Sequence, residues 1–173
     1  MRIEEDMKLD YKDVLIRPKR STLGSRKEVN LERGYKFRNY KTETPFLPVD
    51  EDYHYRGVPI MASNMDGVGT FKMADNLALQ GIMTCLVKTY SVNELVGYFD
   101  QDDKSHDPAR TEYVAMSIGI TDKDHQKFRD VYEQVGNQLK FVCIDVANGY
   151  SERFANFVKE FRTHYPDIVI IAG

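Results

Sequence analysis

The stretch Phe141-Val142-Cys143-Ile144-Asp145-Val146-Ala147-Asn148-Gly149-Tyr150-Ser151-Glu152 decides the fold. Its first four residues are apolar with no polar alternation, the composition of a strand buried on both faces, as in parallel sheets. The chain then passes a polar Asn148-Gly149 turn and reaches Ser151, a helix-capping residue type. Phe154, Phe157, Val158 and Phe161 follow at i, i+3, i+4, i+7, one apolar stripe of an amphipathic helix. Pro166 stops that helix. Strand, polar tip and capped helix in this order make up half of a βαβ unit.

The same alternation recurs on both sides. Apolar runs occupy 58–62, 82–87, 113–117, 141–146 and 168–172, so their starts are 24 to 31 residues apart. Helical stripes fill the gaps. Phe71, Ala74, Leu77 and Ala78 share one face, Val92, Leu95, Val96 and Phe99 a second, and Phe128, Val131, Tyr132 and Val135 a third. Ser91 and Glu94 have the spacing of a capping box, while Gly81 and Gly136 close the first and third helices. The order β-α-β-α-β-α-β-α-β predicts an α/β fold with parallel strands and right-handed crossovers.

Two architectures satisfy this order. One is a doubly wound sheet of the flavodoxin type. The other is part of a (β/α)8 TIM barrel, of which the chain would supply strands 1–5 and helices 1–4. The last run ends at Ile170-Ile171-Ala172-Gly173 with no helix behind it, which would leave an open sheet uncovered and favours the barrel. On this reading residues 1–57 form a polar extension and loop, and 58–173 the first half of a barrel, incomplete at its C-terminal end. Surface loops are expected at 41–56, with Pro45, Pro48 and Asp50-Glu51-Asp52, and at 100–108.

Composition narrows the function. The 173 residues carry a formal net charge of −3, which argues against bulk nucleic-acid affinity. Nothing approaches the ~18–20 apolar residues that span a bilayer, and the charged start, Met1 to Asp10, lacks the apolar region of a secretory leader. The two cysteines, Cys85 and Cys143, are too few for a disulfide framework or zinc cage, as expected for a cytoplasmic protein. The four histidines show no metal spacing, so no metal site is expected.

In either architecture, ligands bind at the C-terminal ends of the strands. Ser63-Asn64-Met65-Asp66, Lys88-Thr89-Tyr90, Ser117, Gly119, Thr121 and Asp145 all gather there. Gly67-Val68-Gly69-Thr70-Phe71-Lys72 approximates a dinucleotide fingerprint, but Lys72 replaces its third glycine and the next strand ends in Val87-Lys88 rather than an acid. A tight βα turn accounts for it better. A carboxylate cannot be buried unpaired at little cost. Asp145 is therefore either a ribose-hydroxyl acceptor or proton-transfer partner, or the cap of the following turn. Lys88 could hold a phosphate or a polarised leaving group, or stand as a surface lysine. Cys85 and Cys143 read as buried strand thiols rather than nucleophiles. Met65 could pack on a base or in the core. The basic Arg17-Pro18-Lys19-Arg20 and Ser25-Arg26-Lys27 could contact phosphates or form a solvated loop.

Three segments together resemble the GMP reductase branch of the IMP dehydrogenase/GMP reductase family. They are Leu9-Asp10-Tyr11-Lys12-Asp13-Val14-Leu15-Ile16-Arg17-Pro18-Lys19-Arg20-Ser21-Thr22, Val58-Pro59-Ile60-Met61-Ala62-Ser63-Asn64-Met65-Asp66, and the 141–152 stretch quoted above. The similarity covers essentially the whole chain but about the first half of the family's barrel. There is no room between Lys88 and Tyr113 for the CBS pair that IMP dehydrogenases usually carry, and Ala147-Asn148-Gly149-Tyr150 is the reductase form.

The resemblance implies a cytoplasmic homotetramer that uses NADPH to deaminate GMP reductively to IMP and ammonia through a cysteine-linked purine. It implies catalytic roles for Lys88 and Asp145, and cofactor contacts by Ser25, Arg26, Lys88, Asp145, Val146 and Ala147. Ser63 and Met65 match positions near the purine nucleotide. The nucleophile loop and the ligands of the family's monovalent cation match nothing in this chain, so this piece alone is expected to be inactive. An IMP dehydrogenase-like protein without CBS domains, or a non-catalytic half-barrel binding module, are the alternatives. The sequence departs from the family at Val87 and Thr89, where histidines flank the lysine, at Gly67, at Ser117-Ile118-Gly119-Ile120-Thr121, and in a longer 45–55 segment.

Overall fold

The computed structural model describes residues 6–37, 55–100 and 108–173. Most of both expected surface loops, 41–56 and 100–108, lies outside the described residues. The chain divides into two compact units, Met1–Asn30 and Leu31–Gly173. The first holds two short 3-10 turns, Tyr11–Asp13 and Arg26–Glu28, capped by the side chains of Asp10 and Ser25.

The second unit carries strands β1 (Arg33–Tyr35), β2 (Tyr55–Ala62), β3 (Ile82–Cys85), β4 (Val114–Ile118), β5 (Phe141–Ile144) and β6 (Val169–Ala172). Helices α1 (Phe71–Ala78), α2 (Val92–Phe99), α3 (Asp122–Val135) and α4 (Glu152–His164) connect β2 to β6. The sheet order is β1-β2-β3-β4-β5-β6, with β1 antiparallel to β2 and every later pair parallel. A doubly wound sheet has a switch point where chain neighbours separate. Here no such point exists between β2 and β6, so the sheet is an arc of a (β/α)8 barrel rather than a flavodoxin-type sheet.

Each helix begins where its sequence signals it. Ser91 and Glu94 form the expected capping box, and Ser151 accepts from the backbone N–H of Phe154. Thr121 and Asp124 make a further box at the start of α3, and Thr70 caps α1. The short β1 falls within the stretch that the sequence suggested was irregular. Its three residues are exposed, and its pairing of Tyr35 with Tyr55 forms the antiparallel edge. Pro59 lies in β2, where the register with β3 shifts between Val58 and Met61, as a residue without a backbone donor imposes.

Two apolar layers sit on the two faces of the sheet. On the helix side, Val114, Met116, Ile118, Val142 and Ile144 pack against Leu95, Phe99, Phe128, Val131 and Phe161. On the concave side, Tyr55, Met83, Cys85, Ala115, Phe141 and Cys143 cluster, with Val169 and Ile171 alongside. Alternation in β4 and β5 thus sends one set outward and the other inward. Both inward and outward sets are apolar, which explains the unbroken runs in the sequence. The concave side holds an open apolar concavity of about 290 Å³ beside Tyr35, Tyr55, Met61, Met83, Phe141 and Ile171.

Candidate functional site

The backbone ladder continues past the apolar part of each strand. Leu86 N–H donates to the Ala115 carbonyl at 2.9 Å, Asp145 N–H to Ile118 at 2.9 Å, and Val146 N–H to Gly173 at 3.0 Å. Polar residues just beyond the core are therefore held on rigid backbone while their side chains reach solvent. Lys88 and Asp145 are two of these. The Lys88 Nζ lies 2.9 Å from Asp145 Oδ2 and also donates to the Asp145 carbonyl at 3.2 Å. Asn64 Nδ2, from the tip of β2, donates to the same Oδ2 at 3.1 Å. Among the described residues, Oδ1 of Asp145 accepts no hydrogen bond. The pair is about 40% exposed, at 41% for Lys88 and 39% for Asp145.

This environment tunes the carboxyl. The Lys88 hydrogen bond holds the Asp145 acid below the usual carboxylate range, the Asn64 amide assists, and partial burial opposes them. Asp145 is thus a carboxylate with one oxygen committed and one free, beside an ammonium that can donate further. Such a pair can bind a hydroxyl or amide and relay a proton.

The loops are fixed to match. After β2 the chain turns through Gly67, at φ +77°, and the Gly69 N–H bonds the Met65 carbonyl at 2.8 Å. The Val87 N–H in turn bonds the Gly69 carbonyl at 2.8 Å, docking this loop on the strand that leads to Lys88. A Cβ at Gly69 would stand 2.5 Å from the Cys85 carbonyl oxygen and 2.8 Å from the Val87 nitrogen, so only glycine fits. The glycines therefore make a tight βα turn. From the other side, the Tyr90 hydroxyl accepts from Phe71 N–H at 3.2 Å, and the two rings stack with centroids 3.8 Å apart. Lys127 Nζ donates to the Lys88 carbonyl at 2.8 Å.

Of the expected site residues, the fold brings Lys88 and Asp145 into contact. Ser63 and Met65 flank Asn64 at the tip of β2, both exposed. Val146 spends its N–H on Gly173, and Ala147 is exposed beyond it. Ser25 and Arg26 belong to the first unit, where the Ser25 hydroxyl accepts from Lys27 N–H at 3.3 Å. Cys85 and Cys143 are buried, as expected. Asn64 was not singled out by sequence reasoning, because its partner lies 81 residues away and no local spacing announces it.

Sequential parallel strands, helices on the convex face and a polar cluster on the strand tips define a (β/α)-barrel protein of the class whose sites sit on that rim. The model of the IMP dehydrogenase / GMP reductase domain matches residues 8–173, and the chain belongs to that family. It is 45% identical over 173 residues to a GMP reductase of Buchnera aphidicola subsp. Schizaphis graminum, covering 100% of this chain and 45% of that protein. A GMP reductase of Caenorhabditis elegans is 46% identical over 172 residues, covering 99% of this chain and 44% of its own length. One from Klebsiella pneumoniae is 47% identical over 173 residues, again 100% and 45%. The chain thus spans less than half the length of these relatives. An inosine 5' monophosphate dehydrogenase structure from Legionella pneumophila superposes with a TM-score of 0.54 at 23% identity, over 66% of this chain and 32% of that one, and shares the fold. Among the described residues no helix is long and apolar enough to cross a membrane.

Proposed function

We propose that the chain is the N-terminal part of a GMP-reductase-type catalyst, an NADPH-dependent oxidoreductase acting on a purine nucleotide in the cytoplasm as a homo-oligomer. The carrying observation is the Asn64–Asp145–Lys88 cluster: one carboxylate oxygen pinned, one free, and an ammonium at 2.9 Å. NADPH fits this donor set, since an amide or sugar hydroxyl of the cofactor can take the free Asp145 oxygen while Lys88 remains half-exposed beside it. When bound, NADPH supplies the hydride. Asp145 and Lys88 orient it and keep a proton available at Lys88 Nζ for the departing amine. Val146 and Ala147 are further cofactor contacts next to Asp145 in the chain, and Ser25 and Arg26, within the first unit, are cofactor contacts in their own right. Ser63 and Met65 border the nucleotide.

The 173-residue chain alone contributes binding without turnover, because neither of its cysteines reaches solvent as a nucleophile must. NMR titration of the chain with NADPH and with GMP tests this reading. Shifts are expected at the Asn64 side-chain amide, Lys88 and the 145–147 backbone, with no loss of NADPH absorbance when both are present. An unperturbed cluster, or steady NADPH oxidation by the purified chain, would overturn it.

A further inference from the structure

Lys88 is held from two sides. Its Nζ lies 2.9 Å from Asp145 Oδ2, while its backbone carbonyl accepts from Lys127 Nζ at 2.8 Å. The sheet no longer fixes the chain at this point. The last backbone tie before it is the Val87 N–H on the Gly69 carbonyl, and the next is the Tyr90 hydroxyl on Phe71 N–H. Lys88 and Thr89 form a turn between them, and among the described residues their backbone makes no hydrogen bond other than the one from Lys127.

Lys127 is set in place by the caps of two helices. On its own helix, Asp124 lies one turn earlier, with its carboxylate held by Thr121 N–H at 3.0 Å. At the start of α2, Glu94 is held by Ser91 N–H at 2.8 Å. Burial lowers the pKa of the half-buried Lys127 ammonium, and these two carboxylates oppose that shift and favour the charged form. Ordering a lysine side chain costs entropy. A charge-assisted bond to a carbonyl that has no other donor repays it.

We propose that Lys127 is a positioning residue for Lys88: its ammonium fixes the Lys88 peptide and so aims Lys88 Nζ at Asp145. The inference rests on the reading of Lys88 and Asp145 as the cofactor- and proton-handling pair. Without the Lys127 bond, the Lys88 peptide is free to rotate in its turn, and the Cα–Cβ direction that carries Nζ to the carboxylate rotates with it. The charge of Lys127 does not act on Asp145 directly. The low acidity range of Asp145 comes from the Lys88 hydrogen bond, against burial and with help from Asn64. A change at Asp145 on loss of Lys127 is therefore transmitted through Lys88.

The test follows the Asp145 carboxyl by carbon-detected NMR titration of the intact chain and of three variants, with NADPH affinity measured on each. Lys127→Met keeps the side-chain length and removes the donor and its charge. Lys123→Met removes the same charge from an exposed position on the same helix that makes no hydrogen bond to the 87–90 segment among the described residues. Lys127→Met should raise the Asp145 carboxyl part of the way to its value in Lys88→Met, and weaken NADPH binding about two- to tenfold, the worth of one ordinary hydrogen bond. Lys127→Arg, which still donates, should restore both, and Lys123→Met should match the unmodified chain. A purely structural lysine would lower the urea midpoint and leave the Asp145 titration unchanged. That result would overturn the proposal, as would an equal shift in Lys123→Met or no recovery in Lys127→Arg. Should Lys127→Met fail to fold, scalar coupling across the hydrogen bond from Lys127 Nζ to the Lys88 carbonyl carbon decides in the unmodified chain: its presence supports the proposal and its absence overturns it. If the unmodified chain binds no NADPH, the cofactor reading fails, and the Asp145 titration still decides the positioning role.

Discussion

Replacing Gly69 by alanine tests the joint that holds both halves of the rim cluster. The new Cβ would stand 2.5 Å from the Cys85 carbonyl oxygen, 2.8 Å from the Val87 nitrogen and 3.1 Å from the Asn64 Cα. All three are backbone atoms, so no side chain can swing aside. Ordinary contact begins at 3.4 Å, and the loop must therefore retreat by 3.4 − 2.5 = 0.9 Å from the Cys85 carbonyl. That movement stretches the 2.8 Å bond from Val87 N–H to the Gly69 carbonyl to as much as 3.7 Å, beyond hydrogen-bond range. Overpacking costs about 1–3 kcal/mol and the lost bond about 1 kcal/mol more, for a total of about 2–4 kcal/mol. Gly67→Ala is the control. Gly67 has φ +77° but nothing within 4 Å, so only backbone strain of about 1 kcal/mol applies. Urea unfolding followed by circular dichroism measures both. If Gly69→Ala is no less stable than Gly67→Ala, the close approach does not position this loop and the reasoning fails.

Two pH predictions follow from named groups. Lys88→Met should raise the Asp145 carboxyl toward its ordinary value, because the Lys88 hydrogen bond is the largest cause of its depression, and carbon-detected NMR titration should show the shift directly. An unchanged titration would remove Lys88 from the account. A depressed carboxyl contributes stability above its unfolded value of ~3.9, and the contribution is lost as pH falls through the lower folded value. Since the pair is about 40% exposed, that contribution is limited to about 0–1 kcal/mol and is screened by salt. His125 behaves in the same direction for a different reason. Among the described residues its Nε2 is buried without a hydrogen-bond partner, and burial, with Arg129 and His164 nearby, lowers its pKa below 6.5 against the opposing charges of Glu160 and Asp122. The unfolded chain then binds the proton more readily, so stability is full above 6.5 and declines as pH falls below it. His125→Phe should flatten the difference in urea midpoint between about pH 7.5 and about pH 5.5, which bracket the ordinary histidine value. A midpoint difference that survives the substitution would assign the decline to other groups.

The fold was legible where its determinants are local. A capping box spans three residues and a helical stripe eight, so Ser91–Glu94 and Val92, Leu95, Val96, Phe99 declare α2 without knowledge of the rest. The parallel strands were legible because both faces of the sheet are apolar, which gives unbroken runs. Strand β1 was not, because Arg33-Gly34-Tyr35 is exposed and has no apolar pattern of its own. Its structure depends on the partner at Tyr55–Gly57. The choice between barrel and doubly wound sheet rested on the ends of the chain, not on any element, since both use the same βαβ units; strand order decides it and strand order is a long-range property.

The candidate site divides along the same line. Lys88 and Asp145 were identifiable because each follows an apolar strand directly, and ladder bonds beyond β3 and β5 carry the rigidity of the sheet into the residues that bear them. Among the described residues, Asn64 makes no such ladder bond. Its place depends on a turn held at Gly69, whose carbonyl is bound by the very strand extension that ends at Lys88. The three side chains therefore share one backbone connection: a disturbance at Gly69 moves the Asn64 amide away from Asp145 and strains the Val87–Lys88 segment in the same step. The carboxylate, fixed on β5, would then lose both of its donors together, and its acidity would report a displacement that begins two strands of the barrel away.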